Sequence, residues 1–252
     1  MRIKTTFLCE EEIFVPFTYP YKLSSWIYNV IRNANPLFAT EVHEQGIPFR
    51  GRKYKAFSFS RLEGKKTKVK NKGLLINGKI ELEVVSPLPS FNEAFLRGVY
   101  EVPLQINGQQ LKPYHVSVEK KPDFKTTMVY SLITPIVYAY QENNRLKFGH
   151  PLQWKFYEGV TRSTINRYLA VCQYLNEDPV DLKTHPFYFE FIHEEHFSIR
   201  KAAKLICYKG KQIKGYQWPI KVEAPLEIQQ FIYYCSISQY VNQGFGFVRV
   251  LD

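Results

Sequence analysis

The sequence predicts an α+β fold made of two tandem βαββαβ units with antiparallel sheets. Three observations lead there. Several short runs alternate apolar and polar residues, and four longer ones repeat apolar residues at helical spacing. The order strand, helix, strand, strand, helix, strand then occurs twice, on either side of the polar, proline-containing stretch 119–127 (EKKPDFKTT). The expected units are residues 1–122 and 128–252.

Residues 2–8 alternate and read as the opening strand. Leu23, Trp26, Ile27, Val30 and Ile31 predict a helix over 21–33 whose other face carries Ser25, Tyr28, Asn29 and Arg32, so that Tyr28 is an aromatic ring on a polar face. Asn35-Pro36 interrupts it, and a short helical stretch runs through Val42 and His43 to stop at Gly46. Residues 56–60 (AFSFS) form a short strand. Residues 74–76 and 80–85 read as two strands joined by a tight turn at Asn77-Gly78. Ser90 with Glu93 is a capping-box pattern for a helix carrying Phe91, Ala94 and Phe95, and 114–118 returns as a strand.

In the second half, 129–140 is rich in β-branched and aromatic residues. Ile165, Tyr168, Leu169, Cys172 and Leu175 mark a helix ending near Asn176. Residues 187–192 read as a strand, 200–221 as a long hairpin, 226–235 as a helix, and the chain closes on a strand through Val248 and Leu251. This is the ferredoxin-like arrangement doubled, without a residue-level repeat between the halves. Such a sheet, with helices on one face, leaves the other open for RNA, although a fold alone does not establish a function.

Charge narrows the partner. Thirty-four Lys and Arg against twenty-three Asp and Glu give a net charge of +11, with an isoelectric point near 9.3. Between Arg50 and Lys72 ten basic residues accompany one acid, Glu63, and between Arg200 and Lys221 seven basic residues accompany none. One such run is commonly a solvated loop; two point to a phosphate-binding surface. The four cysteines form no CxxC pair, which argues against a zinc ribbon or disulfide scaffold and for a reducing compartment. No run approaches the ~18 apolar residues of a membrane span, and the opening residues turn acidic too soon for a signal peptide, so a cytoplasmic protein is expected. His193 and His196 in the segment EFIHEEHF lack the i, i+4 spacing of a zinc-binding helix, and no metal or cofactor is expected.

The most telling segment is 235–250 (CSISQYVNQGFGFVRV), where Gly244 and Gly246 follow a helix and precede the last strand. A dinucleotide fold has the opposite order. Glycines here let a phosphodiester approach main-chain N–H groups, or simply make a tight turn. Helix, glycine-rich loop ending in Gly-Phe-Gly and terminal strand together resemble the signature of the CRISPR-associated endoribonucleases that process repeat RNA, within the RAMP superfamily. Tyr28, the stretch 39–46 (ATEVHEQG), the stretch 55–62 (KAFSFSRL) and 134–137 (TPIV) fit the same family pattern in order and spacing. The chain departs from it at Ser236-Ile-Ser238, where glycines are usual, and at Tyr240-Val241, where a basic pair is common.

The resemblance implies metal-independent cleavage of precursor CRISPR RNA. The 2′-hydroxyl attacks the adjacent phosphorus and leaves a 2′,3′-cyclic phosphate and a 5′-hydroxyl. Such a reaction needs a base, an acid and positive charge on the phosphorane. His43 titrates near neutral pH and suits proton transfer. Tyr28 suits positioning or protonating an oxygen, and Lys53 or Lys55 the charge, with Arg50 and Arg52 as alternatives. Arg50, Arg52, Lys209, Lys211, Lys214, Gly244 and Gly246 are the candidate RNA-binding residues. The expected partner is CRISPR repeat RNA, with a CRISPR effector complex as a further candidate and either a monomer or a homodimer as the assembly. Two rivals stay open: a non-cutting RNA-binding subunit and a metal-dependent nuclease.

Overall fold

The structure, a computed structural model, describes residues 1–41, 45–193 and 197–251. The first half contains β1 (Arg2–Pro16), α1 (Tyr19–Ala34), α2 (Pro36–Thr40), β2 (Ile47–Phe49), β3 (Arg52–Tyr54), β4 (Ser58–Phe59), β5 (Glu63–Lys70), β6 (Gly73–Val85), α3 (Pro89–Gly98), β7 (Leu104–Ile106), β8 (Gln109–Leu111) and β9 (Pro113–Val118). The second contains β10 (Thr127–Leu132), β11 (Ala139–Glu142), β12 (Arg145–Phe148), α4 (Trp154–Leu175), β13 (Tyr188–Phe191), α5 (Ile199–Ala202), β14 (Ala203–Tyr208), β15 (Lys211–Tyr216), β16 (Ile220–Glu223), α6 (Leu226–Cys235) and β17 (Val248–Val250).

Both large sheets are antiparallel, ordered β4-β6-β1-β9, with β5 also paired to β6, and β13-β16-β10-β17. In each, the first strand lies between the third and the last, the order of a ferredoxin-like fold. The tandem ferredoxin-like architecture read from the sequence is therefore present. Four hairpins are insertions on this frame: β2–β3 after the first helix, β7–β8 between α3 and β9, β11–β12 before α4, and β14–β15 between the second and third strands of the second sheet.

The helix α1 forms where the apolar spacing puts it, and Leu23, Trp26, Ile27, Val30 and Ile31 are all buried. Trp26 packs edge-on against Phe7 and Phe95, and its indole N–H donates to the Val102 carbonyl at 2.8 Å, so the one polar atom of the ring is satisfied inside the core. The helix α4 ends at Asn176, whose φ of 56° and ψ of 42° make it a left-handed cap.

Three expectations need correction. Asn77-Gly78 is not a turn: residues 73–85 are one continuous strand. The φ of 80° at Gly78 instead accommodates a bulge in β1, where the register with β6 shifts between Cys9 and Ile13. The hairpin turn lies earlier, at Asn71-Lys72, because half of the first basic run is the strand β5, paired to β6 from Glu63 to Lys70. Its lysines hid the alternation of Thr67 and Val69, and they also suit an edge that must resist pairing with another chain. Ser90 is not a cap either. The helix α3 begins one residue earlier with Pro89 at its first position, and Glu93 pairs with Arg97 at 2.6 Å instead.

The two sheets meet at a buried ion network. The Arg2 side chain, only 3% exposed, donates to Glu83 Oε2 at 3.0 Å and to the Tyr233 and Val248 carbonyls at 2.9 and 2.7 Å. Arg249 of β17 donates to Glu83 Oε1 through Nε at 2.7 Å and also pairs with Glu63. Burial pushes the Arg2 guanidinium below its usual pKa, and the Glu83 charge is the main opposing effect. Removing one partner of such a pair strands the other. Glu83→Gln is expected to destabilise the protein by about 3 kcal/mol and lower its melting temperature by roughly 6–12 °C, read by calorimetry.

Candidate active site

Between α1, the β14–β15 hairpin and the glycine-rich loop lies a cavity of about 610 Å³. The helix contributes Ser25, Tyr28, Asn29 and Arg32, the polar face legible from helical spacing. Tyr28 nevertheless departs from the expected surface position. It is 9% exposed, its ring set edge-on against Phe57 at 5.2 Å, with the hydroxyl end at the cavity wall. Burial pushes this phenol up to about 12, with the Asn242 amide, hydrogen-bonded to its hydroxyl, opposing the shift. At neutral pH it is a hydrogen-bond donor and not a phenolate base.

Of the two candidate lysines, Lys55 lines the cavity, whereas Lys53 is exposed and does not. Lys55 is held below the ordinary lysine value first by burial and then by the neighbouring Lys53 charge. A lysine so shifted gives up its proton more readily than one in water. His43 lies outside the described residues. On either side of it, the Gly46 N–H donates to the Glu41 carbonyl at 2.8 Å, and Glu41 and Gly46 share a small hollow with Lys55.

The hairpin β14–β15 brings Lys209 and Lys211 to the cavity but not Lys214. Lys214 lies three positions after Lys211, so in a strand they point to opposite faces, and the three lysines do not act as one set. Lys209 Nζ sits 4.6 Å from the Tyr21 ring centre, and Tyr21 meets Tyr208 edge-on at 5.8 Å. Arg50 and Arg52 lie at the exposed tip of β2–β3, away from the cavity wall.

Among the described residues, four hairpins turn on two residues with positive φ at both. Asn107-Gly108 and Asn143-Asn144 use asparagine first, the residue best suited to that conformation. Arg50-Gly51 and Lys209-Gly210 place a cation there instead, with φ of 48° and 50°. A left-handed residue other than glycine or asparagine costs about 1–2 kcal/mol, so the cationic tips carry a strain that the asparagine tips avoid. The dipeptides R-G and K-G were the available sequence signal for this.

The loop from Ser236 to Phe247 forms the third wall. Gly244 and Gly246 have φ of 83° and 70°, but both amides are already bonded, to the Val241 and Pro135 carbonyls at 2.9 and 2.8 Å. A Cβ at Gly246 would fall 2.1 Å from the Ile237 carbonyl oxygen, and one at Gly244 would fall 2.6 Å from the Phe59 ring. The space that a phosphate was expected to enter is filled by the protein, and the glycines let the loop close on itself. Tyr240, Asn242 and Gln243, just before them, are the loop residues that line the cavity. Their position beside the glycines was the only sequence hint. The buried Arg167 of α4 clamps the loop from beneath, donating to the Ser236 and Ser238 carbonyls, both at 2.9 Å.

Among the described residues no group of three or more His, Cys, Asp or Glu side chains is placed to hold a metal ion; Glu194, Glu195 and His196 lie outside them. No described helix is long and apolar enough to cross a membrane.

The family model described as CRISPR-associated protein Cas6, N-terminal, matches residues 14–112, and that described as CRISPR associated protein Cas6, C-terminal, matches residues 119–250. The chain belongs to the Cas6 family. A relative from Methanocaldococcus jannaschii, named CRISPR-associated endoribonuclease Cas6 1, is 25% identical over 261 residues, covering 98% of this chain and 92% of the relative. The solved structure of a Cas6-related protein from Pyrococcus furiosus matches with a TM-score of 0.80 at 21% identity, over 100% of this chain and 98% of that one. A solved structure described as a RAMP protein binding different RNA substrates also matches with a TM-score of 0.80 at 21% identity, over the whole of both chains.

Within this Cas6 protein the serines at 236 and 238, where the family usually has glycines, do different work. Ser238 Oγ accepts from the Val137 N–H at 3.0 Å, a bond a glycine does not make. Ser236 has φ of 65° and ψ of 170°, a region that glycine occupies freely, and its buried hydroxyl has no partner among the described residues. Ser236→Gly is therefore expected to stabilise the protein by about 1 kcal/mol, raising the melting temperature by roughly 2–4 °C. Ser238→Gly is expected to lower it.

Proposed function

We propose that this protein cuts precursor CRISPR RNA within its repeats, without a metal, by attack of the 2′-hydroxyl on the adjacent phosphorus. The observation that carries the reading is the convergence of a neutral, buried Tyr28, a pKa-lowered Lys55 and the cations Lys209 and Lys211 on one cavity. Membership of the Cas6 family, with a relative named as an endoribonuclease, supports it.

In this mechanism His43 takes the proton of the 2′-hydroxyl, general-base work to which an imidazole is suited. Support for its place comes from its flanks, which meet beside Lys55. The Tyr28 hydroxyl donates to a non-bridging oxygen as negative charge builds on the phosphorane. Lys55 stabilises that charge and protonates the departing 5′-oxygen, its lowered pKa easing the transfer. Lys209 and Lys211 hold flanking phosphates, and a CRISPR effector complex is the destination of the product.

The deciding experiment is a single-turnover digestion of repeat RNA in excess EDTA, with the product ends identified. The expected products are a 2′,3′-cyclic phosphate and a 5′-hydroxyl, and His43→Ala is expected to slow their formation by about 10²–10⁴ with RNA affinity nearly unchanged. Products with 3′-hydroxyl and 5′-phosphate ends, or activity that returns only with magnesium, overturn the mechanism. RNA bound but never cut indicates a binding subunit.

Grip is tested separately by a salt series. Lys209→Ala with Lys211→Ala is expected to flatten the log–log dependence of affinity on salt by about 1.4, at roughly 0.7 for each phosphate of a single strand that the protein no longer neutralises. Adding Lys214→Ala is expected to leave that slope where the double variant put it.

A further inference from the structure

A second concave site lies on the far side of the β2–β3 hairpin. It is a groove of about 480 Å³ along the outer face of α4 and the edge strand β13. Trp154 and Tyr188 line it with 74% and 63% of their surfaces exposed, and Tyr157 is half-buried between them and the core. A tryptophan and a tyrosine this far in water gain nothing from the protein's own packing. Both line the same groove.

Two guanidiniums stand at this groove, Arg50 and Arg162, against one carboxylate among its lining residues, Glu158, which holds Arg162 at 3.4 Å. Arg50 reaches it from the tip of β2–β3, a hairpin packed on α4, through a hydrogen bond of 3.5 Å to Asn166 Oδ1. Its backbone is left-handed, with φ of 48°, as is that of Lys209, which lines the cavity. The same hairpin and the residue after it carry Arg52, Lys53 and Lys55, so the stretch between the cavity wall at Lys55 and the groove at Arg50 is basic.

We propose that this groove is a second RNA subsite, where unpaired bases stack on Trp154 and Tyr188 while Arg50 holds the phosphate that joins them to the strand leaving the cavity. The inference rests on the reading of the protein as an RNA-cleaving enzyme and adds where a single-stranded part of the substrate lies. Aromatic faces with cations at their rim suit bases of any sequence, since every base has a π face and every linkage a phosphate. The rings, the strained arginine and the basic path are separate observations, and a strand of RNA accounts for all three.

The test uses the full chain and 5′-fluorescein dodecauridylate, which has no stem and no repeat sequence, with affinity read by anisotropy at low salt. Trp154→Leu with Tyr188→Leu is expected to weaken binding about tenfold to a hundredfold, the range for losing one or two stacked bases. The melting temperature is expected to hold, because both rings are largely in water. Trp154→Phe is expected to keep most of the affinity. Of the three tryptophans, Trp26 is buried and Trp218 half-buried, so quenching of the exposed Trp154 on adding dodecauridylate is expected in the wild type and lost in Trp154→Phe. Equal affinity of wild type and double variant overturns the proposal, as does a wild type that fails to bind dodecauridylate. A double variant that changes its elution volume in size exclusion while keeping its RNA affinity overturns it too, by assigning the rings to a protein contact. A wild type that cuts repeat RNA while the double variant binds dodecauridylate normally leaves the enzyme reading standing and removes only this site. A wild type that binds dodecauridylate through Trp154 but cuts nothing does the reverse.

Discussion

The buried guanidinium of Arg2 is the constraint on which the molecule turns. It sits in the first strand of the chain, yet its partners are Glu83 on the neighbouring strand and main-chain carbonyls of α6 and β17, more than two hundred residues away. The Tyr233 and Phe247 rings lie against it at 3.8 and 4.7 Å. A charge taken this far from water needs partners to hold it, and here both terminal nitrogens are answered, from both sheets at once, while Nε has no partner among the described residues. The two ferredoxin-like halves are thereby held in one register. The cavity between α1 of the first half and the loop and hairpin of the second depends on that register, because none of its three walls is enclosed by its own half alone.

A second buried arginine does for the loop what Arg2 does for the sheets. Arg167 reaches from α4 to the Ser236 and Ser238 carbonyls, and the loop then closes over Gly244 and Gly246 with their amides satisfied internally. The glycines are needed for the approach of protein to protein, Gly246 against Ile237 and Gly244 against Phe59. What the loop presents to the cavity is three residues, Tyr240, Asn242 and Gln243. Asn242 bonds to Tyr28, so the loop also sets that hydroxyl in place.

The positive charge evident in the composition is sorted by the fold into distinct jobs. Part of the first run became the edge strand β5, part became the β2–β3 hairpin, and only Lys55 of that run reached the cavity. The second run became β14–β15, which delivers Lys209 and Lys211 inward and turns Lys214 away. Three cations sit in left-handed backbone at hairpin turns, Arg50, Lys72 and Lys209, and two of those hairpins, β2–β3 and β14–β15, are inserted on the ferredoxin-like frame. Insertions of this kind are free to carry function because the core does not need them.

Local periodicity carried most of the architecture. The spacing of Leu23, Trp26, Ile27, Val30 and Ile31 dictates α1, that of Ile228, Phe231, Ile232 and Cys235 dictates α6, and the doubled order of elements dictates the tandem fold, since each follows from neighbours in the chain. Tyr28 was legible as a candidate for the same reason, because helical spacing groups it with Ser25, Asn29 and Arg32. Burial was not legible. That Tyr28 lies under the cavity wall, that Lys55 and not Lys53 enters it, and that Gly78 serves a bulge and not a turn are decided by partners far along the chain. A side chain's exposure, its pKa and the company it keeps are properties of what packs against it. For the site that packing comes from Phe57, Tyr208 and Asn242, residues that share no local pattern with the groups they position. The sequence alone therefore determined which elements form and what chemistry they carry, and the tertiary structure alone decided which of those groups meet.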